Sequence, residues 1–176
     1  MSEARDLLGG NLQQMSDYGK IDALIARLAA LGGWKSARDV VGTDADDAFQ
    51  AELERLLAEF PFVARAQDWL EFLRRFGGGM WSRASDGLSL GLYGFSHDVT
   101  MHILDGPGDP VGDGILLFGD ISLPTGGVEL AFGFEATGER RWGVYRFVDG
   151  GDPEWYCESF HEWLERLVER EGRLLD

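Results

Sequence analysis

The chain has 176 residues, a length that suits one domain with its own hydrophobic core. Hydrophobic residues make up 44% of it and aromatic residues 12%, a composition that excludes an intrinsically disordered chain. The 31 acidic side chains outnumber the 16 basic ones and give a net charge of −15, which nucleic acid and anionic membranes would repel. We therefore expect a basic or neutral partner, and neither nucleic-acid nor membrane binding.

Cysteine usage and the first residues of the chain indicate the cytoplasm. Cys157 is the single cysteine, so no disulfide can form within the chain, as is usual in a reducing compartment. The opening residues MSEARDLLGG lack the basic and then apolar order of a secretory signal, and no apolar run approaches the length of a membrane span. These features predict a cytoplasmic protein.

The first regular element is predicted to begin at Lys20. Residues 1–19 show no sustained apolar period and contain three glycines, so we predict a loosely ordered arm there and a single domain over residues 20–176. From Lys20 onwards the apolar residues follow the spacing of one helical face, and Gly32-Gly33 supplies the stop. That face consists of Ile21, Leu24, Ile25, Leu28 and Leu31.

Two more helices are predicted in the first half of the chain. The second begins near Thr43, a candidate N-cap, and ends before Pro61. The third runs from about Ala66 to the glycine triplet at residues 77–79, which acts as a terminator. The first half is therefore expected to be mainly helical.

After the glycine triplet the apolar period changes from 3.6 to about 2, which indicates strands. Turn signals rich in glycine, proline and aspartate separate the apolar runs, so we expect short connections and mainly antiparallel pairing. The predicted strands are Leu88–Tyr93, Val99–Leu104, Ile115–Phe118, Val128–Phe134 and Arg141–Phe147. These runs predict a sheet of about five or six strands.

The C-terminal segment returns to a helical period. Ser159 and Glu162 have the spacing of a capping box, so the start of this helix is well specified. The fold class is therefore α+β, with N-terminal helices, a mainly antiparallel sheet and a C-terminal helix packed on it. The predicted core residues of the third and last helices are Trp69, Phe72, Leu73, Phe76, Phe160, Trp163, Leu164 and Leu167.

Three segments together resemble the SUKH superfamily, a fold shared by a fungal regulator of cell-wall synthesis and many bacterial toxin-immunity proteins. They are Trp69–Gly79, Leu117–Ile121 and Ser159–Leu167, which are similar in order and spacing to the family's glycine-terminated helix, its strand before a Gly-Asp turn and its closing helix. The similarity spans residues 66–170. It implies a protein-binding fold, and for the bacterial members an immunity function.

Catalysis and metal binding receive little support from the sequence. His97, His102 and His161 lack the paired spacing of zinc ligands, so we expect no metal and no cofactor. Cys157 and His161 are four residues apart and would meet on a helix, which leaves a cysteine nucleophile as an alternative. A buried, unreactive Cys157 is the favoured interpretation, and we expect no enzymatic activity.

Acidic residues concentrate in the predicted sheet and its loops. Thirteen acids and three arginines lie between Ala84 and Glu158, a net charge of −10. Asp105, Asp109 and Asp113 recur in DGPGDPVGDG, but this segment lacks the ligand order of an EF-hand, so solvated loop acids are favoured over a calcium site. Crowded like charges destabilise a compact chain, and a basic partner would relieve that repulsion.

We therefore hypothesise an immunity protein that occludes a basic toxin, with nucleases as the leading toxin class. The expected partner-binding residues are Asp98, Asp105, Asp109, Asp113 and Asp120. Trp81, Trp142 and Trp155 are candidate aromatic anchors, of which at least two are expected in the core. The alternatives are a general intracellular interaction module or regulator, and an enzyme that uses Cys157 and His161. The role of residues 1–60 and the oligomeric state are not indicated.

Overall fold

The segments with a helical apolar period form a layer of helices, and those with a strand period form a sheet. The computed structural model describes residues 19–107, 109–123 and 129–174, and most of the predicted N-terminal arm lies outside them. Gly19 already lies in a helix. The helices are α1 (residues 19–31), α2 (Ala37–Val41), α3 (Ala45–Glu59), α4 (Gln67–Phe76) and α5 (Phe160–Glu169). No helix in these ranges is long and apolar enough to cross a bilayer.

The sheet has eight strands in the described chain, and all their pairings are antiparallel. The strands are β1 (Gly33–Ser36), β2 (Gly79–Arg83), β3 (Leu88–Leu92), β4 (Val111–Gly112), β5 (Ile115–Ser122), β6 (Leu130–Glu135), β7 (Val144–Val148) and β8 (Glu154–Cys157). Their order is β1-β2-β3-β5-β6-β7-β8, with β4 paired to β5. The predicted α+β class is confirmed, and the sheet is larger than expected.

One predicted strand is wrong and four short ones were not predicted. Residues 99–104 form a loop that makes a single parallel bridge between His102 and Gly94. The loop buries the side chains of Val99 and Ile103, and this burial accounts for the apolar pattern that predicted a strand. The unpredicted strands β1, β2, β4 and β8 have at most five residues each, too few for a clear period. Val128, the first residue of another predicted strand, lies outside the described residues.

The helix caps match the predictions in part. Thr43 belongs to a 3₁₀ turn at Gly42–Asp44, so it is not the N-cap of α3. Ser159 caps α5 as expected, because its Oγ accepts a hydrogen bond from the Glu162 amide at 3.1 Å. The carboxylate of Glu162 binds the amide of Glu158 at 3.0 Å instead of the Ser159 amide, so the capping box is only half formed.

The main core lies between the helices and one face of the sheet, here called the inner face. All predicted core residues of α4 and α5 are buried except Phe76, which is partly buried. Trp69 and Trp163 reach across this layer to aromatic rings of β5 and β6. The two helical stripes therefore seal the sheet, as their spacing predicted.

Gly94 lies at the closest approach between the helix layer and the sheet. A Cβ at Gly94 would lie 1.9 Å from the carbonyl oxygen of Gly77 and 2.5 Å from the Cα of Gly78. Gly77 ends α4 with a left-handed φ of +66°, and its carbonyl accepts the amide of Phe95 at 2.8 Å. The glycine triplet thus terminates α4 and also lets the end of β3 pack against it.

Trp163→Ala is expected to cost about 3–5 kcal/mol of unfolding free energy, because the side chain is fully buried. Its ring centroid lies 5.1 Å from that of Phe118, 5.2 Å from Phe132 and 5.6 Å from Phe160. Trp155→Ala is the control: this tryptophan is 37% exposed, and its removal should cost less than about 1 kcal/mol. Chemical denaturation followed by circular dichroism measures both, and equal midpoints would contradict the core assignment.

Gly94→Ala is expected to destabilise the fold by more than about 3 kcal/mol, because the new methyl group meets backbone atoms that cannot turn aside. Gly112→Ala provides the control, since an added Cβ there has no atom within 4 Å. Thermal denaturation of the two variants and the wild-type protein makes the comparison. A Gly94→Ala protein that melts like Gly112→Ala would show that this contact is not tight.

Candidate functional site

The sheet face opposite the helices, here called the outer face, carries a second apolar cluster. Ile115, Tyr145 and Phe147 are buried there, with Leu117 and Ala131 partly buried beside them. All five lie on β5, β6 and β7, and no helical residue of the described chain joins the cluster. The outer face of an antiparallel sheet normally carries polar residues toward water. Because Leu117 and Ala131 of this cluster are only partly buried, the outer face is a candidate binding surface.

A β-bulge decides which acidic side chain reaches the outer face. The pairing of β5 with β6 shifts between Leu117 and Gly119, so Phe118 is the extra residue. Without the bulge, alternation would put Asp120 on the inner face with Leu116 and Phe118. With it, Asp120 lies on the outer face between Gly91 of β3 and Ala131 of β6.

Asp120 is less available than expected for a partner-binding residue. Its carboxylate is half buried and accepts a hydrogen bond from the Tyr93 hydroxyl at 2.8 Å. Burial raises the pKa of Asp120 above its usual range, although the Tyr93 hydrogen bond acts in the opposite direction. The tyrosine fixes this carboxylate in the middle of the outer face.

A cavity of about 310 Å³, here called the slot, opens on the outer face. Its floor is Ala131 of β6. Phe147 of β7 is the cross-strand neighbour of Ala131, and Leu117 of β5 lies diagonally across from it, opposite Gly133. The rest of its lining is Gly112, Asp113, Glu129 and Gly150. A small residue on the central strand between two large ones on its neighbours creates this depression.

The slot contains two carboxylates, those of Asp113 and Glu129. In the part of the chain that the structure describes, neither Asp113 nor Glu129 forms a side-chain ion pair. Arg140 approaches Asp113, but its Nη1 donates to the backbone carbonyl of that residue at 2.8 Å. Asp149 holds the backbone of Glu129 in place, because its Oδ1 accepts the Glu129 amide at 2.9 Å.

A second cavity of about 160 Å³ adjoins the slot through Leu117, which lines both. Asp109 lines this second cavity, and Asp113 lines the slot. Asp109 also accepts the Val111 amide at 2.9 Å, which shapes the turn before β4. Two of the predicted partner-binding residues therefore line neighbouring cavities, Asp113 the slot and Asp109 the second cavity.

The other two predicted residues differ from each other. Asp98 is exposed, in the turn that begins at Ser96. Asp105 is bound by both terminal nitrogens of Arg55, at 2.6 and 3.0 Å, and this hydrogen-bonded arginine holds the pKa of the Asp105 carboxyl below its usual range. Asp105 ties its loop to α3, so it is a structural residue more than a free surface charge.

No group of three or more potential metal ligands occurs among the described residues. The three aspartates of the DGPGDPVGDG segment differ in their contacts and conformation. Asp105 pairs with Arg55, Asp109 accepts the Val111 amide, and Asp113 adopts a left-handed backbone with φ of 54° in the hairpin turn.

His102 is buried in the loop that lines the second cavity. Its Nδ1 accepts the amides of Leu104 at 3.2 Å and Asp105 at 3.1 Å, which requires an unprotonated Nδ1. Its Nε2 lies 3.8 Å from Glu52 Oε2, a buried atom that accepts no hydrogen bond from the described residues. The His97 ring stacks on the other side, with ring centroids 5.1 Å apart.

The Cys157–His161 alternative gains no support from the geometry. Cys157 is fully buried in β8 and its Sγ lies 3.5 Å from the carbonyl oxygen of Ser159. Burial raises the pKa of Cys157 to about 12, so the thiol is protonated at neutral pH and is a weak nucleophile. His161 lies in the first turn of α5, where its amide binds Asp68 at 2.7 Å.

The candidate aromatic anchors are distributed as expected. Trp81 is fully buried, and Trp142 is partly buried against the main core. Trp155 is exposed, and the Arg141 guanidinium lies 3.9 Å from its ring centroid. Trp155 pairs with Tyr145, so it extends the apolar cluster of the outer face toward β8.

Sequence reasoning missed four residues that form the slot: Leu117, Glu129, Ala131 and Phe147. They come from three strands, and only the pairing register brings them together. One signal was present in β7, where Tyr145 and Phe147 alternate with Val144 and so place apolar residues on both faces.

Comparison with known proteins gives no match: no family model, no curated protein and no solved structure corresponds to this chain.

Acidification is expected to destabilise the loop around His102. Burial lowers the pKa of this imidazole in the folded protein, and the nearby Glu52 and Asp105 carboxylates offset that only in part, while His97 and Arg55 add to it. The neutral side chain therefore contributes its full stability above the unfolded pKa of about 6.5, and this contribution falls as pH decreases toward the lower folded pKa.

The test compares the wild-type protein with His102→Asn, whose side-chain oxygen can accept the same amides but does not titrate. The unfolding free energy of the wild type should fall more than that of the variant between about pH 7.5 and about pH 5. Denaturant titrations at several pH values provide the measurement. Parallel pH profiles for the two proteins would contradict the assigned role of Nδ1.

Proposed function

We propose that the protein binds a basic protein partner through the outer face of its sheet. The observation that carries this proposal is the slot, an apolar depression whose lining includes two carboxylates without ion-pair partners in the described chain. Apolar surface at the centre supplies short-range binding energy, and charges at the rim attract and orient a partner.

The distribution of charge along the chain supports this choice of surface, because residues 84–158 carry a net charge of −10. Arginines pair some acids in both layers, for example Asp22 with Arg75 among the helices and Glu158 with Arg141 in the sheet. Asp98, Asp109, Asp113 and Glu129 have no such pair within the described ranges. A basic partner would therefore gain from binding near these carboxylates.

The resemblance to the SUKH superfamily suggests the kind of partner. Immunity proteins of that family neutralise toxins, and a nuclease toxin needs a basic cleft to hold phosphate groups. An acidic concave surface can occupy such a cleft and block it, with rapid association driven by long-range attraction. We therefore propose an immunity function, in which this chain occludes a cognate toxin.

Neutralising Asp109 and Asp113 is expected to slow partner association. In the variant Asp109→Asn/Asp113→Asn, asparagine keeps the turn hydrogen bond at position 109 and tolerates the left-handed backbone at position 113. The association rate should fall about three- to tenfold at low salt, with a smaller change in dissociation, because exposed charges act through the long-range field.

The control is Glu165→Gln/Glu169→Gln, which removes the same charge from the exposed side of α5. The partner is captured with the wild-type protein, identified by mass spectrometry, and measured by surface plasmon resonance at two salt concentrations. Co-expression with that partner in a growth assay then tests protection directly. Equal association rates and salt slopes for the two variants would place the interface elsewhere, and growth arrest in the presence of the wild-type chain would refute immunity.

A further inference from the structure

The shape of the slot suits one long, unbranched side chain. Phe147 of β7 is the direct cross-strand neighbour of Ala131, and Leu117 of β5 lies diagonally across, opposite Gly133. The β5 and β7 backbones are two strand spacings apart, about 10 Å. The small side chain of Ala131 leaves a depression in which Phe147 and Leu117 can contact methylene groups.

The chemistry of the slot changes along its lining. Leu117, Ala131 and Phe147 are apolar, whereas Asp113 and Glu129 add carboxylates. A side chain that lies in the slot must therefore combine an apolar stem with a cationic head, and only arginine and lysine do so. An aromatic ring beside carboxylates favours the planar guanidinium, which can stack on the ring and bind carboxylates at its edge.

We propose that the slot is a binding site for an arginine side chain of the partner protein. This inference rests on the proposed function and specifies which partner group anchors on the outer face. The stem lies on Ala131 beside Phe147, and the guanidinium is bound by Glu129, which lies two residues from Ala131 along the chain.

The domain already uses the same contact elsewhere on its surface. The Arg141 guanidinium lies 3.9 Å from the ring centroid of Trp155, and that of Arg65 lies 4.5 Å from the centroid of Trp142. Arg140 does not fill the slot by itself, because its Nη1 is bound to the backbone carbonyl of Asp113. An arginine from outside would supply the missing countercharge to the rim carboxylates.

The test uses short peptides as probes and needs no knowledge of the partner. Acetyl-Gly-Arg-Gly-amide is titrated into the ¹⁵N-labelled protein at low salt, beside the same peptide with citrulline or norleucine in the centre. Citrulline keeps the shape of arginine without its charge, and norleucine keeps only the stem. The arginine peptide should shift the amide signals of Leu117, Ala131 and Phe147. Each of the other two peptides should bind at least about tenfold more weakly.

Two variants make the test specific to the slot. Ala131→Leu fills the floor without changing charge and should abolish the shifts. Glu129→Gln keeps the shape and removes one carboxylate, and should weaken binding of the arginine peptide severalfold without affecting the norleucine peptide. Circular dichroism melting curves establish that both variants are folded, and because Glu129 is exposed its replacement leaves the core intact.

The outcomes separate this inference from the proposed function. Shifts that occur elsewhere, or equal binding of the arginine and citrulline peptides, would overturn the arginine site. Full-affinity binding of the captured partner to Ala131→Leu would also overturn it, while leaving a basic partner on the outer face intact. Loss of partner binding in Ala131→Leu, together with peptide shifts confined to the slot, would support both.

Discussion

The close backbone contact between Gly94 and the Gly77-Gly78 pair fixes how the helices and the sheet meet. A Cβ at Gly94 would lie 1.9 Å from the Gly77 carbonyl oxygen, and a Cβ at Gly78 would lie 2.7 Å from the Gly94 Cα. The same Gly94 also binds the site loop, since its amide donates to the Met101 carbonyl at 3.0 Å and its carbonyl accepts the Ile103 amide at 2.9 Å. One glycine therefore sets the position of α4, the end of β3 and the loop that carries His102.

Three sets of contacts fix the position of the loop that carries His102. Gly94 binds the backbone of Met101 and Ile103, and the Nδ1 of His102 accepts two amides. The Asp105–Arg55 pair attaches the loop to α3. The second cavity lies against this loop, so its shape is set by backbone contacts on one side and by Leu117 on the other. The polar residues nearest the site thus act mainly to position it, and the unpaired rim carboxylates remain available for binding.

Periodicity predicted the elements whose apolar faces repeat several times, such as α3, α4 and α5, and glycine gave the end of α4. It failed where position depends on distant partners. Nothing in the local sequence signals the bulge that turns Asp120 to the outer face, and Arg55 is 50 residues away from Asp105. The slot could not be predicted for the same reason, since its walls and floor lie on three strands whose register only the folded sheet defines.

The outer face combines two features that are each unfavourable in an isolated domain. Partly exposed apolar residues, here Leu117 and Ala131, promote association, and unpaired carboxylates repel one another. Together they can be complementary, because the charges keep the free domain from associating with its own copies, while a basic partner would neutralise the charges and cover the apolar cluster at once. Under the proposed function, this would account for Asp113 and Glu129 having no ion pair in the described chain. Selectivity for a basic partner would then come from the same carboxylates that disfavour self-association.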